Sequence, residues 1–156
     1  MAATLELRYT GGASNSDPTA SLGGVSSSVA LSATALNNLF NDITPAERTA
    51  GVIKYRALSL YNSGADAATA IAAYMSTITS STDTNLAFGL DSTTGTIADE
   101  NTAPSGVSFA NYTSSSKLSI SDIAAAGAQR IWFRLTVAAG ATNDSSDGGT
   151  IAVDYA

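Results

Sequence analysis

The sequence predicts an all-β fold: an antiparallel β-sandwich, Ig-like or jelly-roll-like, of about eight strands with at most one short helix. Three observations predict it. Two segments alternate with the period of a half-buried strand: Leu5, Leu7 and Tyr9 against Glu6, Arg8 and Thr10, then Ile131, Phe133, Leu135 and Val137 against Arg130, Trp132, Arg134 and Thr136. Turn signals recur at roughly ten-residue spacing, which is the interval a sandwich produces. Hydrophobic residues make up 44% of the chain, but alanine swells that class. The remaining Leu, Ile, Val, Phe, Tyr, Met and single Trp132 suit a thin core between two sheets about 10 Å apart.

Taken in order, the first strand spans Thr4 to Thr10. Residues 11–28, rich in Gly, Ser and Asn, lack periodicity and read as a long loop or arm. Val29 to Leu31 and Leu36 to Phe40 are short apolar pieces, strand fragments or a turn. Thr44-Pro45-Ala46-Glu47 is a helix start with proline at the first helical position, followed by one or two turns before Gly51. Val52 to Tyr61, β-branched and aromatic, is a central strand. Residues 65–78 admit helix through their alanines and strand through Ile71, Ala73 and Met75; the β neighbours and the threonines at Thr77 to Thr79 favour strand. Leu86 to Leu90, Thr94 to Ala98, Val107 to Phe109 and Lys117 to Ile120 are further short strands between turn clusters. Gln129 to Val137 and Thr150 to Tyr155 complete the set. No composition break or fixed-period repeat divides the 156 residues, so one domain over 1–156 is expected.

Charge bounds the function. Seven basic and thirteen acidic residues give a net charge of −6, and the cations are scattered. Nucleic acid and anionic membrane are therefore not expected as partners, since both require clustered Lys and Arg. Met1 to Arg8 carries neither a cationic leader nor an apolar run, and no window approaches the roughly 18 apolar residues of a membrane helix, so no signal peptide or span is expected. The absence of histidine and cysteine removes His-based acid–base chemistry, thiolate nucleophiles and thiolate metal sites. Charged residues are only 13%, and Ser, Thr, Gly and Asn provide the solvation. Such short side chains lose little rotamer entropy when another protein covers them.

Candidate chemistry is sparse, and no catalytic residue, cofactor site or metal site is assigned. Asn143-Asp144-Ser145-Ser146-Asp147-Gly148 places oxygens at alternate positions like a calcium loop, but it lacks the closing bidentate Glu, so an Asx-type turn is expected. Asp99-Glu100 is the only adjacent acid pair; a solvated turn is expected over a glycosidase pair. Asn111-Tyr112-Thr113 and Asn143-Asp144-Ser145 match the glycosylation pattern by chance. Most acids lie in turns, whereas Arg8, Lys54, Arg56, Arg130 and Arg134 lie within strands, as cross-strand partners, subunit contacts or ordinary outward positions. Trp132, flanked by Arg130 and Arg134 on the outward face, is either an interface anchor or a side chain packed under a loop.

The chain resembles a group of small structural proteins of tailed bacteriophages. The resemblance lies in Leu5-Glu6-Leu7-Arg8-Tyr9, Gly11-Gly12-Ala13 and Asp17-Pro18-Thr19-Ala20-Ser21-Leu22-Gly23-Gly24. It continues through Glu47 to Asn62, Leu86 to Asp91, Thr102-Ala103-Pro104-Ser105-Gly106-Val107 and Arg130-Ile131-Trp132-Phe133-Arg134. It implies a non-enzymatic virion component, in first place a head decoration or cement protein that bridges major capsid subunits. The implied partner is the major capsid protein or another virion protein, and the implied assembly is a homo-oligomer. Asp17, Pro18 and Leu22 of the loop, with Arg130, Trp132 and Arg134, are then the interface candidates. A tail, collar or baseplate component would share the same composition. A host-attachment module using Tyr112 or Trp132 as a sugar platform is the third reading.

Overall fold

The computed structural model describes residues 2–34, 37–78, 81–91, 93, 95–144 and 147–156. Its strands are β1 (Leu5–Thr10), β2 (Ser26–Ala30), β3 (Val52–Asn62), β4 (Ile71–Ile78), β5 (Thr84–Leu90), β6 (Leu118–Ile120), β7 (Ala128–Val137) and β8 (Gly149–Asp154). A helix α1 (Pro45–Ala50) and a 3-10 turn at Pro18–Ala20 interrupt them. The strands form two antiparallel sheets, ordered β2-β1-β3-β7-β5 and β6-β4-β8. The all-β sandwich expected from the alternation is the fold of the chain.

The long strands β3 and β7 pair over ten positions at the middle of the larger sheet, with Leu58 opposite Ile131 and Arg56 opposite Phe133. Alternation then sends Lys54, Arg56, Leu58 and Leu60 to the face that carries Ile131 and Phe133, and Tyr55, Ala57 and Ser59 to the reverse face with Trp132. The principal core lies between the sheets, where Leu58, Leu60, Phe88, Ile131 and Phe133 meet Ile71, Ala73, Ile120 and Ile123. A second, smaller cluster lies on the reverse face. There Ile97, Val107 and Phe109 cover Tyr55, Ala57 and Trp132.

That second cluster corrects two expectations. Thr94 to Ala98 and Val107 to Phe109 are not strands; Thr94 lies outside the described residues, and the nearby pairings are the isolated bridges Gly23↔Thr96 and Phe88↔Ala110. The segment crosses the back of the larger sheet as a cover, meeting its strands at single points rather than along a ladder, while its apolar residues pack onto the sheet.

Other boundaries shift by a few residues. β2 takes the last residues of the expected 11–28 loop, and β4 begins at Ile71 because Ala70 adopts a left-handed backbone with φ 51°. Of the Leu36 to Phe40 piece, Leu36 lies outside the described residues, and Leu39 is buried in a turn. Thr79, at the end of the expected threonine run, is likewise outside them.

α1 forms where it is expected. Pro45 occupies the first turn, the Thr44 hydroxyl accepts from the Glu47 N–H at 3.2 Å, and the Glu47 carboxylate accepts from the Thr44 N–H at 2.8 Å, a complete capping box. Gly51, at φ 78°, ends the helix and turns the chain into β3.

Candidate functional site

Of the cations that the sequence places in strands, Lys54, Arg56 and Arg130 gather into two clamps, one on each face of the larger sheet, while Arg8 pairs with Glu6 of its own strand. On the inner face, Lys54 and Arg56 are each 1% exposed. A buried cation is strongly unfavourable unless paired. The Lys54 ammonium bonds Glu47 of α1 at 2.9 Å and Glu100 at 3.1 Å, and Arg56 pairs with the other oxygen of Glu100. Arg56 also donates to the Tyr55 carbonyl at 3.0 Å and to Asn41 at 3.4 Å. Two cations and two carboxylates thus tie α1, the 37–43 turn and the 95–113 cover to the central strand.

The pairing sets the titration of the acids. The hydrogen bond from Lys54, with the Thr44 N–H, brings the Glu47 carboxyl down to about 2. Burial pushes the Glu100 carboxyl up, but the hydrogen bonds and charges of Arg56 and Lys54 outweigh it and hold it below its ordinary value. Glu100 therefore departs from the solvated turn expected of it. Asp99 beside it is an Asx turn, accepting from the Asn101 N–H and the Thr102 hydroxyl, both at 3.0 Å.

On the reverse face, Asp91 just past β5 is buried. One of its oxygens accepts from Arg130 at 3.0 Å and the Trp132 indole N–H at 3.1 Å; the other accepts from the Thr93 N–H at 2.8 Å and hydroxyl at 3.1 Å. Burial alone would push this carboxyl up, but the donors from Thr93, Trp132 and Arg130 together hold it below its ordinary value. Arg130 also donates to the carbonyls of Gly95, at 3.0 Å, and Gly24. Gly23, at φ +92°, lies flat on the tryptophan: a Cβ there would sit 3.0 Å from the Trp132 ring and 3.1 Å from the Thr96 Cα.

This placement decides several sequence candidates. Trp132 is 1% exposed and packs under loops, so it presents no ring to a sugar or a partner. Tyr112, the other platform residue, packs against Phe88 with ring centroids 5.0 Å apart. Arg130 is enclosed with Trp132, and Arg134 stacks over Phe109 at 5.1 Å. Leu22 is half-buried and accepts the Ile97 N–H through its carbonyl. Of the six candidates only Asp17 is exposed, at the 3-10 turn beside the half-buried Pro18, and it accepts from the Thr19 N–H at 2.8 Å and hydroxyl at 2.7 Å. The 11–25 segment is folded back on its own sheet: Asn15 donates to the Thr10 carbonyl at 2.6 Å, and the Ser21 carbonyl accepts the Ala57 N–H at 2.8 Å. Gly23 and Gly24 bring this loop against Trp132 and Arg130.

Among the described residues, no three His, Cys, Asp or Glu side chains are grouped to hold a metal ion. Ser145 and Ser146 of the loop that resembles a calcium site lie outside the described residues, and Asp147 accepts from the Thr84 hydroxyl. No helix among the described residues is long and apolar enough to cross a membrane.

The sandwich is open along one side. Between β1 and β8 lies a cleft of about 1010 Å³, floored by Leu5, Leu7 and Leu60 and walled by Ile151, Val153 and Tyr155. Compared with family models, curated proteins and solved structures, the chain finds no match.

Proposed function

We propose that the chain is a structural protein of a tailed-phage particle, in first place a decoration protein that binds across joints between major capsid subunits, and that it performs no catalysis. The observation that carries the reading is how the charge is used. Lys54, Arg56 and Arg130 are withdrawn into ion pairs that bolt loops onto both faces of one sheet. Such clamps favour a single rigid arrangement over a mobile reactive one. Short polar side chains cover much of the exterior, and these suit burial against a neighbour. The sequence resemblance supplies the phage setting, and many weak contacts on a repeating shell would add by avidity.

The loop enters this proposal as a preformed surface. Asp17 and Pro18 present the exposed turn, while residues 20–24 hold the reverse-face core together. Removing the whole loop would unfold what it covers. The appropriate test is a reconstruction of intact particles with wild-type chain and with Asp17→Lys. Density for the sandwich over capsid joints, lost in the variant, is the expected result. Density in the tail would reassign the component, and a particle without this chain would overturn the proposal.

A further inference from the structure

The chain carries seven cations at a net charge of −6, and five of them are ion-paired: Arg8, Lys54, Arg56, Lys117 and Arg130. Arg48 lies in the last turn of α1, where the free carbonyls of the helix end favour a cation. Arg134 is the exception. It is half-buried on the reverse face of β7, opposite Tyr55 and Ala87, and its guanidinium lies over the Phe109 ring with neither a hydrogen bond nor an ion pair among the described residues. Its posture matches that of the two clamp arginines. In Arg56, Arg130 and Arg134 alike, the Nε atom is buried without a partner, which leaves the bonding to the terminal nitrogens. Those of Arg56 reach Glu100 and the Tyr55 carbonyl, and those of Arg130 reach Asp91 and the carbonyls of Gly95 and Gly24. The terminal nitrogens of Arg134 are not buried, so they open to the surface with no acceptor of this chain beside them.

We propose that Arg134 is a docking point for a carboxylate side chain, aspartate or glutamate, of a neighbouring polypeptide, which completes a third clamp. The Phe109 ring braces the guanidinium, whose donor fork fits the two oxygens of a carboxylate. Ile53 is exposed on the same face and is a diagonal neighbour of Arg134 across the β3–β7 ladder. Its apolar surface, with Phe109, helps to exclude water from the pair, as the surroundings of an interfacial arginine do. Carboxylate is favoured over phosphate for two reasons. Both filled clamps hold carboxylates, and a polyanion needs several cations where this face offers one unengaged guanidinium on a chain of net charge −6. The site is built from β3, β7 and the cover alone, and it holds whether or not the chain belongs to a phage particle.

The test titrates the full nitrogen-15-labelled chain with the blocked peptide acetyl-Ala-Val-Glu-Val-Ala-amide and with its counterpart carrying Gln in place of Glu. The Arg134 Nε–H and the Phe109 backbone amide are followed by nuclear magnetic resonance. Saturable shifts of both signals with the Glu peptide are expected, and binding of the Gln peptide should be at least ~10-fold weaker because a charged hydrogen-bond acceptor is lost. Arg134→Gln, read at the Phe109 amide, should weaken the Glu peptide by the same factor. Ile53→Glu, at an exposed position, sets an acid beside the arginine; it should also weaken binding and carries the test should Arg134→Gln not fold. Absent shifts, equal binding of the two peptides, or indifference to the variants would overturn the proposal. Tighter binding of inorganic phosphate than of the Glu peptide would overturn it in favour of a phosphate ligand. A dimer mass that rises with concentration and is lost in Arg134→Gln would overturn it in favour of a second copy.

Discussion

Asp91 shows how one carboxylate can organise a face of a sheet. Its two oxygens collect the Arg130 guanidinium, the Trp132 indole and both donors of Thr93, and Arg130 carries the link on to the Gly24 and Gly95 carbonyls. Removing one partner of a buried ion pair leaves the other charge uncompensated, at about 3–5 kcal/mol. Asp91→Asn should therefore lower the unfolding free energy by that order in urea titration. Asp17→Asn, at an exposed turn where asparagine caps as well as aspartate, should stay within about 0.5 kcal/mol. Equal effects would mean that the buried clamp contributes no more than a surface turn.

At the scale of elements, α1 is a short helix held by its ends. Its capping box is local, and Glu47 within that box also reaches across to Lys54. Thr44→Ala removes the cap and should cost about 1 kcal/mol by thermal or urea unfolding. Glu47→Gln, which leaves Lys54 with one carboxylate, should cost clearly more; the reverse order would place the stabilisation in the cap alone. The box was legible because its signals lie within four consecutive residues. The cover strands expected at Thr94 to Ala98 and Val107 to Phe109 were misread for the opposite reason. Alternation reports that a side chain is covered, and whether the backbone pairs depends on a neighbour that local sequence does not contain.

For the whole molecule, the clamps make stability depend on acid. The folded-state values of Glu47, Asp91 and Glu100 lie below their ordinary ones, Glu47 at about 2. A depressed carboxylate contributes stability that is fully present above the unfolded value, about 4.3 for Glu and 3.9 for Asp, and is lost as pH falls through the folded value. The unfolding midpoint should thus hold steady from neutrality to about pH 5 and fall towards pH 2. A Glu47→Gln, Glu100→Gln double variant should be less stable at pH 7 and show a shallower acid decline. An acid profile as steep as wild type would remove these two residues from the account.

Part of the clamp was within reach of the sequence. Regular alternation through Val52 to Tyr61 puts Lys54 and Arg56 on the same face as Leu58 and Leu60, and buried cations there demand acidic partners. Which acids answer was not legible, because Glu100 approaches from 44 residues away.

The sequence by itself determined the β class, the order and approximate bounds of the main strands, and the capped helix, because periodicity, turn residues and capping act over a few neighbouring positions. Only the tertiary structure decided that Trp132 is enclosed, that Glu100 and Asp91 serve as clamps, and that one edge of the smaller sheet stays open. Those outcomes depend on which distant segments lie across a face, and burial is a property of the assembled layers.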